Sequence, residues 1–106
     1  MQVENIAPLV SDVRTAFDTG KTKSYEWRRA QLKGIIRLVD ENTEAIIEAV
    51  QADLGKPRIE AWSVEANLVR KEALHSLRML KRWMRPERVK TPLFALPASS
   101  RIVREP

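Results

Sequence analysis

The segment from Asp53 to Pro57 constrains the fold most, because it ends one helix and begins the next within a few residues. Gly55 can adopt the left-handed conformation that closes a helix, at no steric cost. Pro57 suits the first position of a following helix, where its missing N–H would have no partner. The segment therefore predicts two successive helices that are joined by a sharp turn.

Apolar residues spaced three and four apart predict two helices before this joint. The first contains Ile6 and Phe17 and ends at Gly20. The second begins after Ser24, whose side chain is expected to cap it, and continues to Val39. Gly34 interrupts the second helix, and we attribute it to a close helix contact at that point.

Two further helices are predicted around the joint itself. Polar residues at 40–44 break the apolar stripe, so a third helix is expected to begin with Asn42 or Thr43 as its cap and to end at Leu54. The fourth is expected to extend from Pro57 to about Met84, with Trp62 on its buried face. This last helix is too long for the other three to cover, so part of its apolar face requires more protein.

Beyond residue 85 the character of the sequence changes. Prolines at positions 86, 92, 97 and 106 exclude a continuous helix. Residues 101–106 carry a short strand signal, but no second strand is predicted to pair with it. We therefore expect three regions, namely a helical segment at 1–85, a Pro-rich connector at 86–100, and the first strand of a truncated α/β domain at 101–106.

Composition restricts the possible chemistry. The 106-residue chain has no cysteine, which excludes disulfides, thiolate metal sites and a cysteine nucleophile within it. No apolar run approaches the roughly 18 residues that predict a membrane span. The chain starts without the pattern of a secretory signal, so a cytoplasmic location is expected.

Few residues suggest a catalytic or binding site. His75 is the only histidine and has no cysteine or aspartate partner in the sequence pattern, and Glu65 has no apparent acid–base mate. The three glycines are isolated from one another, so no phosphate-binding loop is present. We expect no catalytic residues, no cofactor-binding residues and no metal ligands in this chain.

Basic residues are concentrated in one segment. Residues 78–104 contain eight Lys or Arg residues and one acid, a local charge of +7, whereas the whole chain carries +5. With Trp83 and Phe94, this segment could bind nucleic acid. The alternative is an exposed helix end whose cations interact favourably with the helix dipole.

Four short segments in series resemble the N-terminal part of class 3 aldehyde dehydrogenases, and the plant branch of that class in particular. The resemblance extends from about Val13 to Pro106 and rests on the segments 25–32 (YEWRRAQL), 52–57 (ADLGKP), 81–86 (KRWMRP) and 94–100 (FALPASS).

The resemblance implies a mainly α, four-helix N-terminal segment of a larger α/β enzyme whose Rossmann-like domain is missing here. Such enzymes oxidise aldehydes to carboxylic acids with NAD or NADP, and they use a cysteine nucleophile, a glutamate and an asparagine. These residues would all lie beyond Pro106, so the chain alone is expected to be inactive and to bind no cofactor. Its implied partners are the remainder of the polypeptide, the aldehyde substrate and a second subunit, without nucleic acid or membrane.

Two alternatives of other classes remain open at this point. The exposed apolar face of the long helix would also suit a free-standing helical interaction module that docks on a full-length relative. The basic segment would suit a nucleic-acid-binding module.

Overall fold

A computed structural model describes residues 6–105 of the chain. Its elements are four α-helices, one π-helical segment, two 3-10 turns and two short strands. In chain order they are α1 (Ile6–Asp18), a 3-10 turn (Lys21–Lys23), α2 (Tyr25–Leu54), α3 (Arg58–Glu60), the π-segment (Ala61–Ala66), α4 (Asn67–Trp83), β1 (Glu87–Val89), a 3-10 turn (Leu93–Ala95) and β2 (Ser100–Ile102). The Leu96–Pro97 peptide bond is cis.

The joint at Gly55 forms as the sequence predicts. Gly55 has a φ of 64° and a ψ of 18°, and its N–H donates to the carbonyl of Gln51 to close α2. Pro57 lies one position earlier than predicted, at the N-cap of α3. Because the connection is so short, the chain turns back directly after α2. The elements α3, π-segment and α4 then form a helical rod that packs antiparallel to α2.

The beginning of α2 also agrees with the sequence. The side chain of Ser24 accepts a hydrogen bond from the N–H of Trp27 at 3.1 Å, so the predicted cap is confirmed. The explanation offered for Gly34 is wrong, because a Cβ placed there would meet no atom within 4 Å. Gly34 therefore lies in open space, and nothing in the structure requires a glycine there.

The predicted second and third helices form one helix with a kink. Asn42 has non-helical dihedrals (φ −123°, ψ 18°), but the helix continues on both sides of it. Neither predicted cap accepts an N–H. Asn42 Nδ2 donates to the carbonyl of Leu38 at 2.8 Å, and Thr43 Oγ1 donates to that of Val39 at 2.7 Å. Side chains that bond backward to the preceding turn in this way bend a helix without ending it.

The fold has a thin core along the contact between α2 and the helical rod. Six apolar residues are buried among the described part of the chain: Val39, Ile47, Ala61, Ala66, Ala73 and Leu80. Four of them form a line along the rod, with steps of five, seven and seven residues. A step of seven is two α-helical turns, and the step of five matches the wider π-turn. The π-segment therefore keeps Ala61 and Ala66 on the same face.

Because of the π-segment, the prediction that Trp62 lies on the buried face is wrong. A regular α-helical period places Trp62 on the buried face, but its side chain is 43% exposed and Ala61 is fully buried in its place. Ile59, three positions earlier, is 70% exposed. The hydrophobic spacing identified the helix correctly, but it could not locate the buried face across a π-turn.

The strand near the C-terminus is paired, contrary to the prediction. β1 and β2 form an antiparallel two-stranded sheet in which Glu87 is opposite Ile102 and Val89 is opposite Ser100. β1 carries charge at two of its three positions and lies in the segment that was predicted to be a connector. Three residues without a long apolar run give little strand signal, so the sequence does not predict β1. The segment is a strand because its backbone pairs with β2. The division of the chain into three regions stays a prediction.

Candidate docking surfaces

The chain exposes much more surface than a compact protein of its size. Its accessible surface is 8778 Å² and its mass is 12.2 kDa. A folded monomer of this mass exposes about 6,000 Å². The radius of gyration is 19.9 Å, whereas about 13 Å is typical of a compact domain of this length. The candidate functional surfaces are therefore apolar faces that have no cover in this chain.

Helix α1 presents the clearest of these faces. None of its residues is buried, and its main contact is with the 3-10 turn that follows it. Leu9, Val10, Val13, Arg14 and Phe17 line a groove of about 460 Å³ on this helix. A 13-residue amphipathic helix has little stability by itself in water, so α1 requires a surface to pack against.

A second apolar groove surrounds Trp62. It has a volume of about 430 Å³, and its lining includes the buried Ile47 and the exposed Ile59 and Trp62. A third groove of about 400 Å³ lies between α2 and α4, next to Ile35, Leu68 and Val69. These side chains are 39–50% exposed, although they flank the buried contact line of the two helices.

Two ion pairs join α2 to the rod on either side of Trp62, and the first of them lines the Trp62 groove. Arg58 donates to both carboxylate oxygens of Glu44 at 2.6 Å, and Arg70 donates to Asp40 at 2.6 Å. Asp40 and Glu44 lie on opposite sides of the kink in α2, and the two arginines lie on opposite sides of the π-segment. The carboxylates raise the pKa of each guanidinium, first through the hydrogen bonds and then through charge attraction. Both pairs are exposed and contribute little stability, and each joins one side of the kink to one side of the π-segment.

Glu65 has a partner that the sequence analysis did not find. Lys56 Nζ donates a hydrogen bond to Glu65 Oε1, and Glu60 is also within ion-pair distance of Lys56 at 4.0 Å. The hydrogen bond to Glu65 is the main reason that the pKa of Lys56 is raised from its ordinary value of 10.5. The pair lies nine residues apart across the joint, a spacing that no simple helical rule predicts. Its role is to tie the joint to the π-segment.

The remaining residues that the sequence singled out do not come together as a reaction centre. The His75 ring lies edge-on to Trp83, with 5.7 Å between the ring centroids. Within residues 6–105, no three His, Cys, Asp or Glu side chains are grouped closely enough to hold a metal ion. Among the helices described, none combines the length and apolar character needed to cross a membrane.

The basic segment forms a cavity at the end of α4. Its volume is about 560 Å³, and its charged lining consists of Arg82, Arg85, Arg104 and Glu87. Arg104 donates to Glu87 at 2.9 Å, so one of the three arginines is already paired. Trp83 also lines the cavity and is 40% exposed. The cavity combines positive charge with one aromatic surface.

Comparison with known proteins identifies relatives over most of the chain. No protein-family model matches the chain. The chain is 44% identical over 100 residues to aldehyde dehydrogenase family 3 member I1, chloroplastic, of Arabidopsis thaliana. This alignment covers 94% of this chain and 18% of that protein. The chain is 34% identical to 4,4'-diaponeurosporen-aldehyde dehydrogenase of Staphylococcus aureus, over 90% of this chain and 21% of that protein.

A solved structure agrees with these sequence relatives. The substrate-bound structure of Staphylococcus aureus AldH aligns with all of this chain, with a TM-score of 0.83 and 32% identity, over 23% of its own length. The chain therefore spans about a fifth of the length of the relatives it matches. The fold of this segment is that of the corresponding part of a solved enzyme.

Proposed function

Because the homologues of this chain are class 3 aldehyde dehydrogenases, we propose that it is the N-terminal helical segment of an enzyme that oxidises aldehydes to carboxylic acids with NAD or NADP. The identity of 44% across 94% of the chain is the observation that carries the proposal. The predicted resemblance to this family is confirmed by these relatives.

The uncovered apolar surface supports the same proposal. The surface beyond that of a compact monomer amounts to about 2,800 Å². Permanent interfaces bury about 2,000–5,000 Å² summed over both partners, so the excess surface of this one chain is large enough to form one. The α1 face and the grooves of the α2–α4 pair would be covered by the remaining four-fifths of such an enzyme. In this proposal the chain supplies a scaffold against which the catalytic body packs.

The chain by itself does not fit a dinucleotide. Its two glycines with positive φ, Gly20 and Gly55, each occupy a single turn position at the end of a helix. A phosphate-binding loop would need several glycines close together before a helix. We therefore derive no hydride-transfer step from these residues. The nucleophile, the cofactor site and the aldehyde site are proposed to lie in the rest of the enzyme.

The test begins with the native gene product. We expect a protein several times larger than this chain that forms NADH or NADPH when supplied with an aldehyde. The purified 106-residue chain at the same molar concentration is the matched control, and it is expected to produce no reduced cofactor. Aldehyde-dependent NADH formation by the purified chain alone would contradict the proposal, and so would a native product of 106 residues.

The assembly and location of the enzyme are also proposals. We propose a homodimer, which light scattering of the full-length protein would test. We propose a cytoplasmic location, although one relative carries the word chloroplastic in its name. Imaging of the tagged full-length protein would distinguish the two compartments.

A free-standing interaction module is the second candidate, and the uncovered α1 face is the observation that favours it. If the native product ends with this chain, we expect it to co-purify with a full-length relative. Substitution of Val13 by Asp on the α1 face should then abolish co-purification, whereas Thr15→Asp, on the same exposed helix and outside the lining of its groove, should not.

A further inference from the structure

Two arginines face each other across the β1–β2 ladder. Arg88 on β1 is directly opposite Arg101 on β2 in the antiparallel register. Side chains opposite each other on two paired strands have their Cβ atoms about 5 Å apart and point to the same face. Both arginines are exposed. One face of the sheet therefore carries two adjacent guanidinium groups.

These two charges have no acidic partner among residues 6–105. The ion pairs of the described chain include neither Arg88 nor Arg101. The acids closest in sequence are already engaged, since Glu87 accepts from Arg104 and Glu105 lies 3.6 Å from Lys23. Like charges placed directly opposite each other destabilise a strand pair. An anion bound between the two guanidinium groups would remove this repulsion.

We propose that Arg88 and Arg101 form a clamp for a carboxylate group on an acidic protein segment. Two guanidinium groups side by side can donate paired hydrogen bonds to one or two carboxylates. The proposal is independent of the enzymatic function proposed above, because it concerns a binding surface outside the apolar grooves. Its test measures binding and does not depend on dehydrogenase activity.

The surroundings of the clamp favour a protein segment over nucleic acid. The segment that joins the two strands exposes Leu93 to 86% and Phe94 to 92%. Leu93 would gain free energy if apolar protein groups covered it, and it offers little to a phosphate backbone, whereas Phe94 can pack against either kind of partner. A segment that combines acidic and apolar residues would match a charged sheet face beside this exposed apolar connection.

The experiment measures binding of a labelled peptide of alternating Glu and Val residues to the complete 106-residue chain, by fluorescence anisotropy at fixed ionic strength. We expect Arg101→Gln to weaken binding about tenfold, the loss of one charge-assisted contact. Arg88→Gln, on the other strand, should have the same effect. Arg37→Gln is the matched control, because Arg37 is exposed on α2 and far from the sheet in sequence. It should leave the affinity nearly unchanged.

Two further results complete the test. Arg101→Glu creates an opposite-charge pair with Arg88, so it should raise the thermal midpoint of the chain and abolish peptide binding. A peptide in which Gln replaces Glu should not bind. Equal losses for Arg101→Gln and Arg37→Gln would overturn the clamp, because binding would then follow net charge alone. Tighter, Arg101-dependent binding of a single-stranded oligonucleotide of equal charge would overturn the assignment to a protein partner.

Discussion

Replacing Ile47 by Ala should remove a large share of the stability of this chain. Ile47 is 1% exposed and is the largest fully buried side chain in the described residues. It lies where α2 meets the π-segment, next to the Trp62 groove. Deleting three carbon atoms costs about 0.8 kcal/mol for each, with a further contribution from the cavity that remains.

Two local effects reduce this cost. The site borders an open groove of about 430 Å³, so neighbouring side chains and water can partly fill the space. Alanine also favours a helix over isoleucine by a few tenths of a kcal/mol. We expect the free energy of unfolding to fall by about 2–3 kcal/mol, in a chain whose total stability is expected to be about 5 kcal/mol.

Urea unfolding followed by far-UV circular dichroism would measure this change. Ile59→Ala is the matched control, because it makes the same substitution at a side chain that is 70% exposed. It should change the free energy of unfolding by less than about 0.5 kcal/mol. Equal effects of the two substitutions, or a loss below about 1 kcal/mol for Ile47→Ala, would refute the location of the core described here.

Three further predictions concern the helix ends and the joint. Gly55→Ala should lower the free energy of unfolding by about 1 kcal/mol, because residue 55 has a positive φ. Gly34→Ala should raise the free energy of unfolding by about 1 kcal/mol, because residue 34 lies within a helix and has open space around it. Urea unfolding of both variants would measure the two changes. Ser24→Ala should cost about 1 kcal/mol through the lost cap, with Ser24→Asp retaining stability, and an unchanged midpoint for the alanine variant would contradict the assigned cap. Because the pKa of Lys56 is raised in the folded state, its pairing with Glu65 stabilises the fold fully below pH 10.5, and this contribution is lost as the pH rises through the folded-state pKa. In the Lys56→Met variant the thermal midpoint should fall less between neutral and alkaline pH than it does in the unsubstituted chain, which thermal unfolding at a series of pH values would measure.

Several local features could be predicted from the sequence because short-range chemistry determines them. The left-handed Gly55, the Ser24 cap and the spacing of apolar residues each depend on backbone geometry within a few positions. The family resemblance also came from contiguous segments, and the relatives confirm it. The expected absence of catalytic, cofactor and metal residues stays a prediction.

Other features depended on contacts between distant residues. The polar residues at 40–44 bend one helix at Asn42 instead of separating two, and Arg70 and Arg58 of the rod pair with Asp40 and Glu44 on the two sides of this kink. The π-segment moved Trp62 out of the core, since a change in helical period alters which later residues share a face.

The sequence by itself determined that this chain forms amphipathic helices with a sharp joint at Gly55, and to which family it is related. Only the tertiary structure decided which residues form the core, that β1 pairs with β2, and that Arg88 lies opposite Arg101. The reason is physical, because capping and turn conformations are set by neighbouring residues. Burial, strand register and like-charge proximity depend on which distant parts of the chain meet.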